Sequence, residues 1–330
     1  MEIRDDLPAD VWDDYAQRGS HYHRYGWGQV LARALGHRVL YLAAVEGERV
    51  VWILPLAVVS SRALGTFALS LPTVNYGGVV ADSPEAARAL AEAGLTWARE
   101  QGARWVLLRQ AEPAATGWPE AVSRETLLLE LPADPWAALD PKVRNQVRKA
   151  EKCGVEVGES RPERFQPVFA RCLRDLGTPA YGVEYFREVA AWFPEQVGWH
   201  EVRRGGRVIG GAVSIRQGGR WEVPWACSLR SERANCPQML LYWTLIAQAA
   251  KEGAQVFDFG RSPHDSGPYR FKQQWGAHPH PLPWQYWSRE GRAPETGAES
   301  PRYRLATRAW RLLPMAVAGR LGPVVARWLP

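Results

Sequence analysis

Two stretches of this chain recur at nearly one spacing, and that recurrence limits the folds open to it more than any other feature. EGERVV at 46–51 matches RGGRVI at 204–209, 158 positions on, and REQGARWVLL at 99–108 matches AKEGAQVFDF at 250–259, 151 positions on. Two independent matches at close offsets argue for an internal duplication. The elements around them recur in the same order. In the first half, VLYLAAVE and RVVWILPLAVV form a hairpin about a turn at Glu46-Gly47-Glu48, and a third strand lies near 65–71. Ser83-Pro84-Glu85 then opens a helix that stops at Gly102, with a capping serine and a proline in the first turn. ARWVLLR and TLLLEL follow as strands. In the second half, GWHEVRR and RVIGGAVSI turn at Gly205-Gly206, and RWEVPWA follows a turn at Gly218-Gly219. Pro237 opens the helix QMLLYWTLIAQAAKE, and the strands AQVFDFG and LPWQYWS come after it. Hairpin, strand, helix, strand, strand is an α/β layout with a mixed sheet, present twice.

A length of 330 residues suits two such domains. We place the first at 1–135, the second at 136–292, and a separate tail at 293–330. The net charge of +6 belongs to that tail: from 300 to 330 there are six arginines (Arg302, Arg304, Arg308, Arg311, Arg320, Arg327) and no acid. Without them, 35 basic residues face 35 acidic ones, so a body-wide nucleic-acid surface is not supported. The four cysteines form no CxxC pair, which suggests a reducing compartment. The first fourteen residues are acidic, unlike a signal peptide, and no apolar run reaches the roughly 18 residues of a membrane span. The expected location is the cytoplasm.

Before the first hairpin, HYHRYGWGQVLARALG reads as an aromatic loop entering a helix that ends at Gly36; His21 and His23 lack a third ligand at metal spacing and read as loop packing. Between the halves, Asp140-Pro141 starts a helix that stops at Gly154, with Arg144 and Arg148 one turn apart and Asn145 and Lys149 beside them. This densest positive patch of the body is either a phosphate clasp, through Arg144 and Lys149, or a solvated face. RPERFQPVFARCLRDLG and VEYFREVAAWFP read as an inserted helical pair.

Chemistry is expected in DFGRSPHDSGPYRFKQQW, 258–275. Asp258 ends a buried apolar strand, Arg261 follows, and a loop rich in glycine and proline leads to Tyr269, Arg270, Phe271 and Lys272. A carboxylate at a strand end, a nearby arginine and a lysine between aromatics are what a site for a charged acyl donor needs. The competing reading makes Asp258 an N-cap-like or salt-bridged strand terminus and Arg261 and Lys272 solvated loop charges.

VRNQVRKAEKCGVEV, LGTPAYGVEYFREVAAWFP, RANCPQMLLYW and FDFGRSPHDSGPYRFKQQWG together resemble the FemAB-type peptidyltransferase-like proteins, and more narrowly the branch associated with exosortase/PEP-CTERM systems. LPLAVV and SLPTVNYGGVVAD extend the resemblance over about residues 20 to 290. It implies two tandem GNAT-like domains with mixed sheets and transfer of an aminoacyl or other acyl group to an amine, with no cofactor beyond the donor. The family's Phe-Lys segment falls on Phe271-Lys272. That makes Lys272 the catalytic candidate, a fixed cation beside a carbonyl that gains negative charge under attack. Asp258 would orient it or take the amine's proton. Acyl-CoA enzymes of this fold carry a glycine-rich turn before the helix that opens here at Pro237, and its amides hold pyrophosphate. RSERANCP at 230–237 has no glycine, so Arg230, Arg233 and Asn235 would hold donor phosphates by side chains, with Tyr242, Arg261, Tyr269 and Phe271 lining the donor groove. That disfavours acyl-CoA and favours aminoacyl-tRNA or another phosphorylated donor. On the acceptor side stand Asn75, Tyr76 and Arg109; Gly77-Gly78 either admits a ligand close to the backbone or forms a plain turn.

In the tail, Arg304, Arg308 and Arg311 share one helical face beside Leu305, Ala309, Leu312 and Leu313, and the pattern resumes after Pro314. This is the profile of an amphipathic element on an anionic membrane surface, at the inner face of the cytoplasmic membrane, or of a helix pair docked on the body. Three functions remain open: a FemAB-like aminoacyltransferase acting on an amine-bearing envelope or exopolysaccharide precursor, an acyl-CoA-dependent N-acyltransferase, and a non-catalytic binding module.

Overall fold

A computed structural model describes residues 1–47, 49–61, 65–121, 124–294 and 301–329, the last stretch without the side chains of 301–304. Glu48 of the expected turn and the side chains of Arg302 and Arg304 lie outside the described residues. The chain opens with β1 (Glu2–Arg4) and α1 (Ala9–Ala16), which the sequence pattern did not suggest. The helix expected to end at Gly36 is α2 (Tyr25–Val30), continued by a wider turn over Leu31–Leu35 and closed by Gly36 at φ 70°. The hairpin follows as β2 (Arg38–Glu46) and β3 (Arg49–Ser61), then β4 (Gly65–Leu69), α3 (Pro84–Glu100), β5 (Trp105–Leu108) and β6 (Arg124–Glu130).

Next come α4 (Pro135–Ala138), α5 (Pro141–Lys152), β7 (Val155–Glu159), α6 (Pro162–Leu176) and α7 (Val183–Trp192). The second hairpin is β8 (Val197–Arg204) and β9 (Arg207–Gln217), extended by β10 (Arg220–Ser228). A 3-10 turn over Arg230–Asn235 leads into α8 (Pro237–Lys251), β11 (Val256–Arg261) and α9 (Gly267–Gln273). The chain ends with β12 (His278–Leu282), β13 (Gln285–Ser288), α10 (Pro301–Leu312) and α11 (Met315–Ala326).

Two compact units result, one from Met1–Arg124, Pro281–Gly297 and Arg327–Pro330, the other from Glu125–His280 and Ala298–Ala326. The first sheet runs β1-β2-β3-β4-β5-β13, and the second runs β12-β6-β11-β10-β9-β8-β7. The duplication is visible strand by strand. In each sheet a hairpin and a third strand pair antiparallel, the third strand pairs parallel with the strand after the long helix, and that strand pairs antiparallel with one more. The final positions are exchanged, however. TLLLEL (β6), next in sequence to the first unit's strands, completes the second sheet, and QYWS (β13) completes the first.

Burial explains why β2 is apolar throughout. Leu40, Leu42 and Ala44 join Leu90 and Ala91 of α3 in one core, while Tyr41, Ala43 and Val45 meet Trp12 and Tyr15 of α1 in another. A two-residue period thus fills both faces of the strand, and each fully buried Leu or Ile contributes about 1.5–3 kcal/mol.

The tail is docked. Gly177, at the end of α6, lies against Thr307 of α10; Arg311 donates to the Leu176 carbonyl at 3.1 Å; Gly322 of α11 abuts the Ala180 backbone. Among the described residues no helix is long and apolar enough to cross a membrane.

Candidate active site

The candidate lysine owes its burial to the local helix. α9 is capped by Ser266, whose hydroxyl accepts from the Tyr269 amide at 3.2 Å. Tyr269 and Lys272, three apart, form its buried face, and Trp275 in the turn after it is buried as well, with 3%, 7% and 3% of their surfaces exposed. Lys272 Nζ donates to the carbonyls of Gly260 at 2.8 Å and Arg261 at 3.0 Å. An ammonium has three donors, so one N–H remains uncommitted among the described residues. Burial pulls its pKa down to about 8, against the opposing pull of Asp258; Arg261 lowers it further and Glu222 raises it. The group is therefore mainly cationic at neutral pH, and it is a stronger proton donor than an ordinary lysine.

The two carbonyls converge because β11 bulges. Its pairing with β6 runs from Val256 to Asp258 and resumes only at Arg261 opposite Thr126. Gly260 sits in the bulge at φ 72°, where a side chain would be strained. Asp258, fully buried, fixes that shape: Oδ1 accepts from the Gly260 amide at 2.8 Å and from the Thr126 hydroxyl at 2.7 Å, and Oδ2 pairs with Arg220 at 2.6 Å. Its carboxylate thus holds the backbone that holds the ammonium. Asp258 is salt-bridged, as the second reading had it, but it lies inside β11, which runs on to Arg261 rather than ending at the aspartate, and the buried Lys272 is no solvated loop charge.

Beside this bulge the second sheet opens. β10 and β11 pair in parallel from Arg220↔Val256 to Glu222↔Asp258, and there their register ends, although β10 runs on to Ser228 along β9.

The residues expected on the donor side lie on α8, α9, β11 and the 3-10 turn before α8, with unequal freedom. Tyr242 is core: it stacks on Phe259 (centroids 5.3 Å apart) and meets Phe271 edge-on at 5.2 Å. Burial raises its phenol pKa. Arg230 and Arg233 are exposed on the 3-10 turn, and Asn235 donates to Glu232 at 2.9 Å. In the same segment the amides of Glu232, Cys236 and Met239 are bonded internally, and Pro237 has none.

Arg144 is also committed. It donates to the carbonyls of Trp136 and Ala137 at 3.2 and 3.1 Å, closing the end of α4, while Lys149 is exposed. Asn75, Tyr76 and Arg109 do come together, in the first unit and buried. Arg109 donates to the carbonyls of Leu71 (3.2 Å) and Val74 (2.6 Å) and lies over the Trp284 ring; Tyr76 packs near Tyr22. The close approach allowed by Gly77-Gly78 is to the protein itself: both amides donate to the Arg109 carbonyl at 3.2 Å. His23 is part of the same seat, its Nε2 against the Gly78 carbonyl at 2.8 Å, and His21 Nδ1 accepts from Trp27 at 2.9 Å. A separate cavity of about 370 Å³ in the first unit is lined by residues including His37, Arg38, Gln101 and Arg327. Among the described residues no group of three or more His, Cys, Asp or Glu side chains is arranged to hold a metal.

Sequence reasoning did not find Thr126, Arg220, Glu222 or the role of Gly260. A glycine directly after FDF was the one available signal; the others act through pairing with remote strands.

Residues 141–273 match the family model described as an acetyltransferase (GNAT) domain. The second unit carries a GNAT-type acyltransferase domain. The match ends one residue after Lys272. In fold, the chain is similar to a crystal structure of FemX at a TM-score of 0.67 and 14% identity, covering 93% of this chain and all of that one. It is also similar to a tandem GNAT protein from the clavulanic acid biosynthesis pathway (TM-score 0.56, 15% identity, 87% and 94% covered). A third similar structure is the C-terminal domain of a putative lysylphosphatidylglycerol synthetase from Agrobacterium fabrum (TM-score 0.53, 12% identity, 86% and 92% covered). At these identities the likeness shows the fold, two GNAT-like sheets in tandem. No curated protein matches the chain in sequence.

Proposed function

We propose that this GNAT-type acyltransferase moves an aminoacyl group from aminoacyl-tRNA to an amine of a cell-envelope or exopolysaccharide-related precursor. The observation that carries the reading is the buried Lys272 ammonium, anchored by two carbonyls just past the point where the β10–β11 pairing ends, with one N–H uncommitted among the described residues. In the proposed step the acceptor's neutral amine attacks the donor ester carbonyl. Negative charge grows on the carbonyl oxygen, and the free N–H of Lys272 stabilises it where water is scarce. Collapse forms the amide, breaks the ester C–O bond and leaves the departing hydroxyl with the proton that the amine gives up. Asp258 acts by position, since its oxygens already accept from Thr126, Gly260 and Arg220.

Support for a tRNA donor is the 230–239 segment, which spends several amides internally and offers arginine side chains instead of a glycine-rich cradle. Placement in the exosortase/PEP-CTERM branch, from the sequence resemblance, would make the acceptor a precursor met at the membrane. The family description favours a second reading, N-acylation from acyl-CoA. Binding of charged tRNA and of acetyl-CoA to the purified protein separates the two. Charged tRNA binding alone supports the proposal, and saturable acetyl-CoA binding without tRNA binding defeats it. A binding module, the third reading, would keep its ligand and its cellular role in Lys272→Met.

A further inference from the structure

The docked tail leaves a second, outward face. In α11, Ala318, Gly322 and Ala326 are buried, and they recur every fourth residue on one side. Val317, Leu321 and Val324 recur on a neighbouring side and stay exposed. At about 100° per residue, Arg320 lies roughly 60° from that apolar stripe, on the edge away from the docked side. α10 repeats the plan. Thr307 faces Gly177, Leu305 and Leu312 point outward, and Arg308 borders them at the same angle. The five exposed apolar residues retain between 39% and 84% of their surface, and no acid occurs from 301 to 330. Trp310, Leu313 and Met315 are half-buried, but a helix pair docked only to cover the body would not leave Leu305, Leu312, Val317, Leu321 and Val324 outward while Ala318, Gly322 and Ala326 make the contact.

We infer that the outward stripe of α10 and α11 seats the protein on an anionic bilayer surface, with Leu305, Leu312, Val317, Leu321 and Val324 in the acyl boundary and Arg308 and Arg320 at lipid phosphates. Charge complementarity selects this occupant: an apolar stripe edged only by arginines meets a surface that is apolar beneath and negative above. The inference stands apart from the acyl-transfer reading, because neither helix contributes to the Lys272 site.

The full-length protein is floated with vesicles of phosphatidylcholine alone and with phosphatidylglycerol added. The expected result is binding that needs the anionic lipid and weakens with salt. Arg308→Gln and Arg320→Gln should each weaken it about fivefold, and Leu312→Gln and Leu321→Gln about tenfold or more. These side chains are exposed, so the thermal midpoint should hold and thereby exclude unfolding as the cause. Equal binding to both vesicle types, no binding to either, or indifference to the leucine substitutions overturns the inference. So does a concentration-dependent dimer that Leu312→Gln and Leu321→Gln abolish, since the stripe would then be a contact between copies.

Discussion

The two units use one strand plan, yet their corresponding ends do opposite things. In the second, the parallel pair stops at Glu222 and Asp258; in the first, it stops at Leu69 and Leu107, both apolar and buried. The carbonyl of Gly260 accepts the Lys272 ammonium. The carbonyl at the matching position, on Arg109, accepts the amides of Gly77 and Gly78, and the Arg109 guanidinium ties down Leu71 and Val74. One copy keeps its strand end for a charged group, while the other closes it with its own loop. A duplicated scaffold can thus differ at corresponding strand ends, holding an ammonium in one copy and its own loop in the other.

The sharpest way to break this comparison is Lys272→Met. Transfer should fall by about 10²- to 10³-fold with the fold intact by circular dichroism, and unchanged turnover would move the chemistry away from the second unit. Asp258→Asn comes next. Breaking a buried pair costs about 3–5 kcal/mol, but Arg220 is 38% exposed, so a loss of about 1–3 kcal/mol in urea unfolding is expected. Turnover should drop more than substrate KM rises. On the first unit, Arg109→Met should lower stability by about 1–3 kcal/mol, the cost of freeing buried carbonyls, and leave turnover alone. A raised acceptor KM at unchanged stability would instead make Arg109 an acceptor contact.

pH tests the same contrast. Turnover should decline as pH rises through about 8, by at most tenfold per unit, as Lys272 loses its proton. Its folded pKa lies below the ordinary 10.5, so between the two values the unfolded chain binds more protons. Across that window this group's contribution to stability rises with pH while activity falls. The smallest effect is expected for Gly260→Ala, about 1 kcal/mol of backbone strain at a positive φ, with a matching drop in turnover as the two carbonyls shift.

Much of the fold was legible because its signals are local. Apolar runs bounded by glycine and proline marked nearly every strand of the two hairpins, and Ser83-Pro84 and Asp140-Pro141 marked helix starts that the structure keeps. The segment holding Lys272 was marked in the sequence as a lysine between aromatics after a glycine- and proline-rich loop, but its helix, α9, was not. β1, α1 and β12 escaped notice, being short elements whose sequences carry little periodicity.

The sequence by itself determined the doubled α/β plan and the basic tail, and it singled out Lys272 as a candidate by resemblance. Only the tertiary structure decided that β6 and β13 change places, that Thr126 and Arg220 reach Asp258, that Arg109 clamps its own loop, and that the tail docks by its small residues. The reason is physical. Periodicity and capping are written within a few residues, but which strand completes a sheet, and which remote donor satisfies a buried carboxylate, is settled by pairing between segments far apart: 132 positions for Thr126 and Asp258, and 183 for Trp105 and Ser288.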